Sequence, residues 1–165
     1  MNPRICVASI AIALAFTAAT ASAASAASAA TPNTPQSIDE TPIFLPADPS
    51  LCKFPIVVIP RGKSKTITLP GNRTLFIAPG QEVEIVNGLD ASKRYAQTVT
   101  GTFHQFIDAN GSVITRSTGR SLLGDPTTGL VFVTGNFEYV FDANGTLIKP
   151  LTGTERMVDA CALIA

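Results

Sequence analysis

His104 is the only histidine in this 165-residue chain, and Asp108 follows it four positions later. A histidine and a carboxylate are the parts of a general base with its orienting partner, or of a metal site. Their spacing argues against either use here. Both sit in a β-rich run, "GTFHQFIDANGSVI" from Gly101, where four residues span about 13 Å and two same-facing side chains cannot share a proton or an ion. A Ser–His–Asp triad need not be contiguous in sequence, so a small secreted hydrolase using His104 remains the catalytic alternative. The serine-bearing stretch "GRSLLG" lacks the G-x-S-x-G elbow that would favour it. Zinc needs three or four His, Cys or carboxylate ligands, and no such set stands out in the sequence. Neither a Walker loop nor a dinucleotide fingerprint occurs, so no cofactor is expected.

The run around His104 is used twice. "GNFEYVFDANGTLI" from Gly135 matches it without a gap in Gly, Phe, Asp-Ala-Asn-Gly and the closing Ile. A calcium loop of the EF-hand type ends on Glu at position 12, but counting from Asp108 and Asp142 that position holds Gly119 and Gly153. The motif reads instead as a type I turn whose Gly takes a positive φ and forms a one-residue bulge. This register sets Asp108 opposite Ser112, Ile107 opposite Val113 and Phe106 opposite Ile114. It likewise sets Asp142 opposite Thr146, Phe141 opposite Leu147 and Val140 opposite Ile148. Polar meets polar and apolar meets apolar in every pair, whereas a two-residue Asn-Gly turn would oppose Asp108 to Val113. The same register places Phe103, Ile107, Val113, Phe137, Tyr139, Phe141 and Leu147 on a core face. Thr102, His104, Asn136 and Glu138 fall on a wetter face, with Glu138 or another polar neighbour as a hydrogen-bond partner for His104.

The elements that must position these residues follow from the remaining composition. Arg4, the apolar run "ICVASIAIALAF" and the Ala/Ser stretch behind it form a secretory signal pattern, residues 1–23. Cleavage is expected after Ala23, with Ala21, Ala26 and Ala29 as alternative ends, and no transmembrane segment is expected after its removal. The twelve basic residues less Arg4 leave eleven against twelve acidic ones, a balance that offers nothing to nucleic acid. Residues 24–50 read as a proline-rich linker. Residues 51–165 read as a single all-β domain, an antiparallel β-sandwich or partly closed β-barrel built from hairpins. In "EVEIV" the alternation of Val83 and Ile85 with Glu82 and Glu84 calls for one buried and one wet face. "RSTGRSLLGDPTTG", residues 116–129, reads as a long loop. In it Arg116, Arg120 and Asp125 are candidate binding residues, and Leu122 and Leu123 plug the sandwich end. Cys52 and Cys161 are an even pair in an exported chain and are expected to form a disulfide between neighbouring first and last strands, holding Met157 and Leu163 to the sheet. Asn72, Asn110 and Asn144 begin N-x-S/T patterns, the last two of which the turns already explain.

With "CKFPIVV", "GTFHQ", "TGRSLLGDP", "YVFDANGTL" and "VDACALIA" in place, the chain resembles small exported actinobacterial proteins of uncharacterised function over residues 52–165. The resemblance implies an exported β-domain and carries no site residues. The expected role is therefore a secreted, non-enzymatic domain that binds, or is associated with the cell envelope as a structural protein, with an envelope or protein partner. The alternatives are the His104 hydrolase and a carrier of a small apolar ligand inside a barrel. Mass spectrometry of protein from culture supernatant should find the mature chain beginning near Ala24, whereas membrane-bound protein retaining Met1 would show the segment to be an anchor.

Overall fold

The computed structural model describes residues 34–165; the expected signal segment and the expected cleavage site after Ala23 lie outside the described residues. Eleven strands follow in order: β1 (Gln36–Ser37), β2 (Ile43–Leu45), β3 (Ile56–Arg61), β4 (Lys63–Leu69), β5 (Arg73–Ile77), β6 (Glu82–Asn87), β7 (Asp90–Thr98), β8 (Thr102–Ile107), β9 (Val113–Asp125), β10 (Gly129–Phe141) and β11 (Leu147–Asp159). They form a seven-stranded sheet, β1-β4-β5-β8-β9-β10-β11, and a four-stranded sheet, β2-β3-β6-β7. All pairings are antiparallel, and the sheets stack as a sandwich that does not close into a barrel. A carrier reading that depends on a barrel interior therefore loses its premise.

The ordered part begins earlier than Leu51. β1 and β2 lie in the stretch read as linker, with Ile43 opposite Val58 and Leu45 opposite Ile56. Pro42 and Pro46 bracket the three residues of β2, leaving just enough free amides for a short edge strand. Leu45 is buried in the core between the sheets with Ile56, Val58, Val83, Ile85, Leu122, Leu130 and Phe132.

Both hairpins form. Ile107 pairs with Val113 and Phe106 with Ile114; Gly111 and Gly145 have φ of 82° and 79°. Asp108 and Asp142 each close the turn twice over. Their amides donate to the carbonyls of Ser112 and Thr146 (3.0 and 2.8 Å), and their carboxylates accept the amides of the same two residues (2.9 and 2.7 Å). The second copy departs from the expected register after Phe141–Leu147, since Val140 faces Lys149 rather than Ile148. Pro150 has no amide to donate, and a bulge beside it absorbs the break in the ladder. Ile107 is also not core: it is 48% exposed at the hairpin tip.

The expected long loop is strand. Residues 113–125 are β9, which pairs with β10 without interruption from Val113–Phe141 to Asp125–Gly129. Within it Gly119, at a positive φ, bends the strand instead of ending it. Gly119 (φ 91°) lies opposite Gly135 (φ 129°), which lies opposite Glu155 (φ 132°) on β11. The hydroxyls of Ser117 and Ser121 are 2.9 Å apart, whereas a straight strand would separate these positions by about 13 Å. Three long strands therefore bend together along one line. On the concave side Leu123, Val131, Val133, Phe137, Tyr139 and Leu151 make a second core. On the convex side Leu122, Leu130 and Phe132 pack against the smaller sheet. Leu122 and Leu123 thus enter different cores and plug no open end.

The face of β6 expected to be wet is so only at Glu82, whose side chain is 47% exposed. Glu84 is buried and clamped by Arg61 of β3 (2.9 Å) and Arg94 of β7 (3.1 Å). The arginine stems cover that face while their heads reach water.

Cys52 and Cys161 form a disulfide with Cα atoms 5.7 Å apart. It does not join neighbours in one sheet. Cys52 lies in the β2–β3 connection of the smaller sheet and Cys161 just beyond β11 of the larger, so the bond ties the two layers together. Beyond it, a 3-10 turn at Ala162–Ile164 buries Ile164, and the Ile164 carbonyl accepts Asn87 Nδ2 (3.0 Å). Met157 and Leu163 are both partly exposed.

Two expectations follow for stability. A Cβ added at Gly145 meets nothing, while one at Gly135 would approach the Glu155 Cβ to 2.8 Å. Gly145→Val should cost about 1–2 kcal/mol from backbone strain alone. Gly135→Ala should cost about 3 kcal/mol or more, strain and overlap together; equal losses in urea unfolding would contradict the bend's steric basis. Reducing the disulfide, which spans 109 residues, should lower the urea midpoint markedly, with an upper bound of about 4.7 kcal/mol from loop entropy. Two alkylatable thiols in freshly purified, unreduced protein would overturn the pairing.

Candidate functional site

His104 occupies the centre of a row that crosses four strands: Leu75, His104, Arg116, Glu138. Arg116 stands between His104 and Glu138, so the expected hydrogen bond to the glutamate does not form. Arg116 Nε donates to Glu138 Oε2 (2.6 Å) and Lys149 Nζ to Oε1 (2.7 Å). These two donors, Lys149 first, hold the Glu138 carboxyl below the usual glutamate range. The Arg116 guanidinium also lies 5.3 Å from the centre of the Phe106 ring. His104 packs at 6.1 Å from the same ring, and its Nε2 is buried with no hydrogen-bond partner.

The structure does not gather a triad around His104. Ser117 and Ser121 project from the opposite, concave face and bond to each other. Asp108 Oδ1 is taken up by the amides of Asn110 and Ser112. Among the described residues no group of three His, Cys, Asp or Glu is placed to hold a metal ion.

The three residues expected to share one binding loop are separated. Asp125 is buried at the β9–β10 turn, where Oδ1 accepts the Thr127 and Thr128 amides (2.7 and 2.9 Å) and Oδ2 accepts Leu151 N (3.1 Å). Those bonds close a turn and pin β11 beside it, which gives Asp125 a structural role. Arg116 is engaged by Glu138. With Glu138, Asn136 and Thr152 it lines a hollow of about 240 Å³, whereas Arg120 lines a larger cleft on the other side of the bend.

That cleft, of about 330 Å³, opens where the bend in the large sheet meets the edge of the small one. Its polar row is Arg120, Thr134 and Arg156, consecutive partners across β9, β10 and β11 at the crest of the bend. Two residues further along, Phe132 and Val158 form an apolar floor. From the small sheet β7 contributes Tyr95 and Gln97, and Leu163 closes the rim. The Tyr95 ring meets Phe132 edge-on at 5.4 Å, and its hydroxyl reaches Gln97 Oε1 (3.3 Å). No carboxylate lines the cleft. Among the described residues neither the Arg120 nor the Arg156 side chain has an ion-pair or hydrogen-bond partner, in contrast to those of Arg61, Arg94, Arg116 and Lys149.

Thr134, Arg156, Phe132, Tyr95 and Gln97 were not anticipated from sequence. A signal was available: Thr-Gly recurs at Thr118-Gly119, Thr134-Gly135 and Thr152-Gly153 inside strand-forming runs. Glycine within a strand marks a bend or bulge. On the concave side the Tyr139 hydroxyl is buried without a partner, and burial pushes its pKa up to about 12, with the Thr115 hydroxyl opposing. Tyr139 is thus a neutral core residue across the physiological range.

No family model matches the chain, and comparison with curated proteins and with solved structures finds no match.

Proposed function

We propose that this chain is an exported, non-enzymatic recognition domain that binds its ligand in the Arg120–Thr134–Arg156 cleft. One observation carries the reading. Two guanidiniums stand on one face with a single residue between them, over an apolar floor, and neither has a carboxylate to neutralise it. Like charges held close are unfavourable, and a sheet surface gains nothing from the arrangement unless a counter-charge arrives. Concave sites with an apolar lining and a few convergent polar groups are the usual form of a small-molecule site, and this volume falls at the lower end of their range. The disulfide between the layers suits the role, because it holds β7 and the C-terminal turn in a fixed relation to the bent sheet.

The test is amide chemical-shift mapping of the oxidised, secreted protein against a mixed small-molecule library. Hits should shift Tyr95, Thr134 and Arg156 together, and an Arg120→Glu/Arg156→Glu variant with an unchanged fold should lose them. A library whose hits all map elsewhere, or that yields no hit, would sink the assignment of recognition to this cleft.

A further inference from the structure

The cleft is polar at one end and apolar at the other, and its polarity runs along the strands. Arg120, Thr134 and Arg156 form one cross-strand row; Leu122, Phe132 and Val158 form the row two residues on, on the same face. Two residues along a strand are about 6.6 Å, and the two arginines, two strands apart, are about 10 Å apart at Cα. Their side chains are long enough to converge above Thr134, whose hydroxyl lies between them as a further donor. Among the described residues the acid adjoining the row is Glu155, whose side chain packs against Gly135 and makes no ion pair with either arginine. A ligand following this gradient would have an oxyanion at the arginine row and an apolar body on Phe132, edged by Tyr95, Val158 and Leu163.

Size narrows the class. At about 30 Å³ per water-sized volume, 330 Å³ holds roughly eleven, and so a ligand of about a dozen non-hydrogen atoms. That volume bounds the part of a ligand seated in the cleft, and a bare inorganic anion would leave the apolar floor uncovered. We infer that the cleft binds a small amphipathic anion, an aryl or short acyl group ending in a single carboxylate or phosphate, which rests on the reading of the cleft as the recognition site. The two heads share one chemistry: paired oxygen acceptors matched to guanidinium donors.

Calorimetric titration of the oxidised mature protein with four probes tests it. 3-Phenylpropionate and phenyl phosphate carry both halves of the ligand, 3-phenylpropanol the apolar half, and inorganic phosphate the head. At least one of the two amphipathic anions should bind, about tenfold or more tighter than either half, and the tighter one identifies the head. Arg120→Ala and Arg156→Ala should each weaken that anion by about tenfold and leave the alcohol unchanged, with native circular dichroism throughout. Arg116→Ala, which leaves the cleft intact, should have no effect. Raising the salt concentration should weaken the anion and not the alcohol. Alcohol and acid binding in the cleft with equal affinity would overturn the anion assignment while leaving a recognition cleft. Hits from the mixed library at the cleft, with none of the four probes binding, would overturn the ligand class alone. Anion binding that survives both alanine variants would place the charge recognition elsewhere and also overturn the inference.

Discussion

Three backbone angles in register, at Gly119, Gly135 and Glu155, hold this architecture in shape. Positive φ is open to glycine and costs an ordinary residue of order 1–3 kcal/mol. Two of the three positions avoid that cost. The third is a glutamate whose side chain occupies the space that Gly135 leaves by having no Cβ. A single bend in one strand would break its ladder with both neighbours. Bending β9, β10 and β11 along one line keeps the pairing on either side, and so the sheet folds as a unit.

Much of the rest depends on that fold line. It turns one large sheet into two surfaces with separate cores. The concave core includes Phe137, Tyr139 and Leu151, and the convex core is closed by the small sheet through Ile56, Val58 and Ile85. It draws Ser117 and Ser121 together in the interior, where each satisfies the other. It also lifts Arg120, Thr134 and Arg156 onto a crest, clear of the carboxylates that engage Arg61, Arg94 and Arg116. The disulfide and the buried Ile164 then fix the second layer against this one, and the distance between β7 and the crest sets the depth of the cleft.

The hairpins were legible in the sequence because everything that specifies them is local. An Asp that can accept two amides, a Gly free to take positive φ and matched residues on both arms decide the register within a dozen positions. The one slip, Val140 opposite Lys149, came from a proline just outside the motif. The all-β class and the cysteine pairing were legible for related reasons, since β-branched and aromatic runs at short spacing, and two cysteines behind an expected signal segment, leave few alternatives. Glu84 and the 116–129 stretch were misjudged because their environment is non-local. Nothing near Glu84 in sequence announces the two arginines, ten and twenty-three residues away, that bury it.

The sequence by itself therefore determined the all-β class, the two hairpin turns and which cysteines can join, all matters of local propensity and composition, but not the strands at 36–45 and 116–125. It also supplied Arg120 as a candidate, on no stronger ground than charge in a stretch read as a long loop. The tertiary structure alone decided that Arg120 is neighbour to Arg156, thirty-six positions on, and that Arg116 and Asp125 serve the fold instead. A site on a sheet is assembled across strands, so its members share a row and no sequence spacing. Which rows face a cleft was set by where three strands bend together.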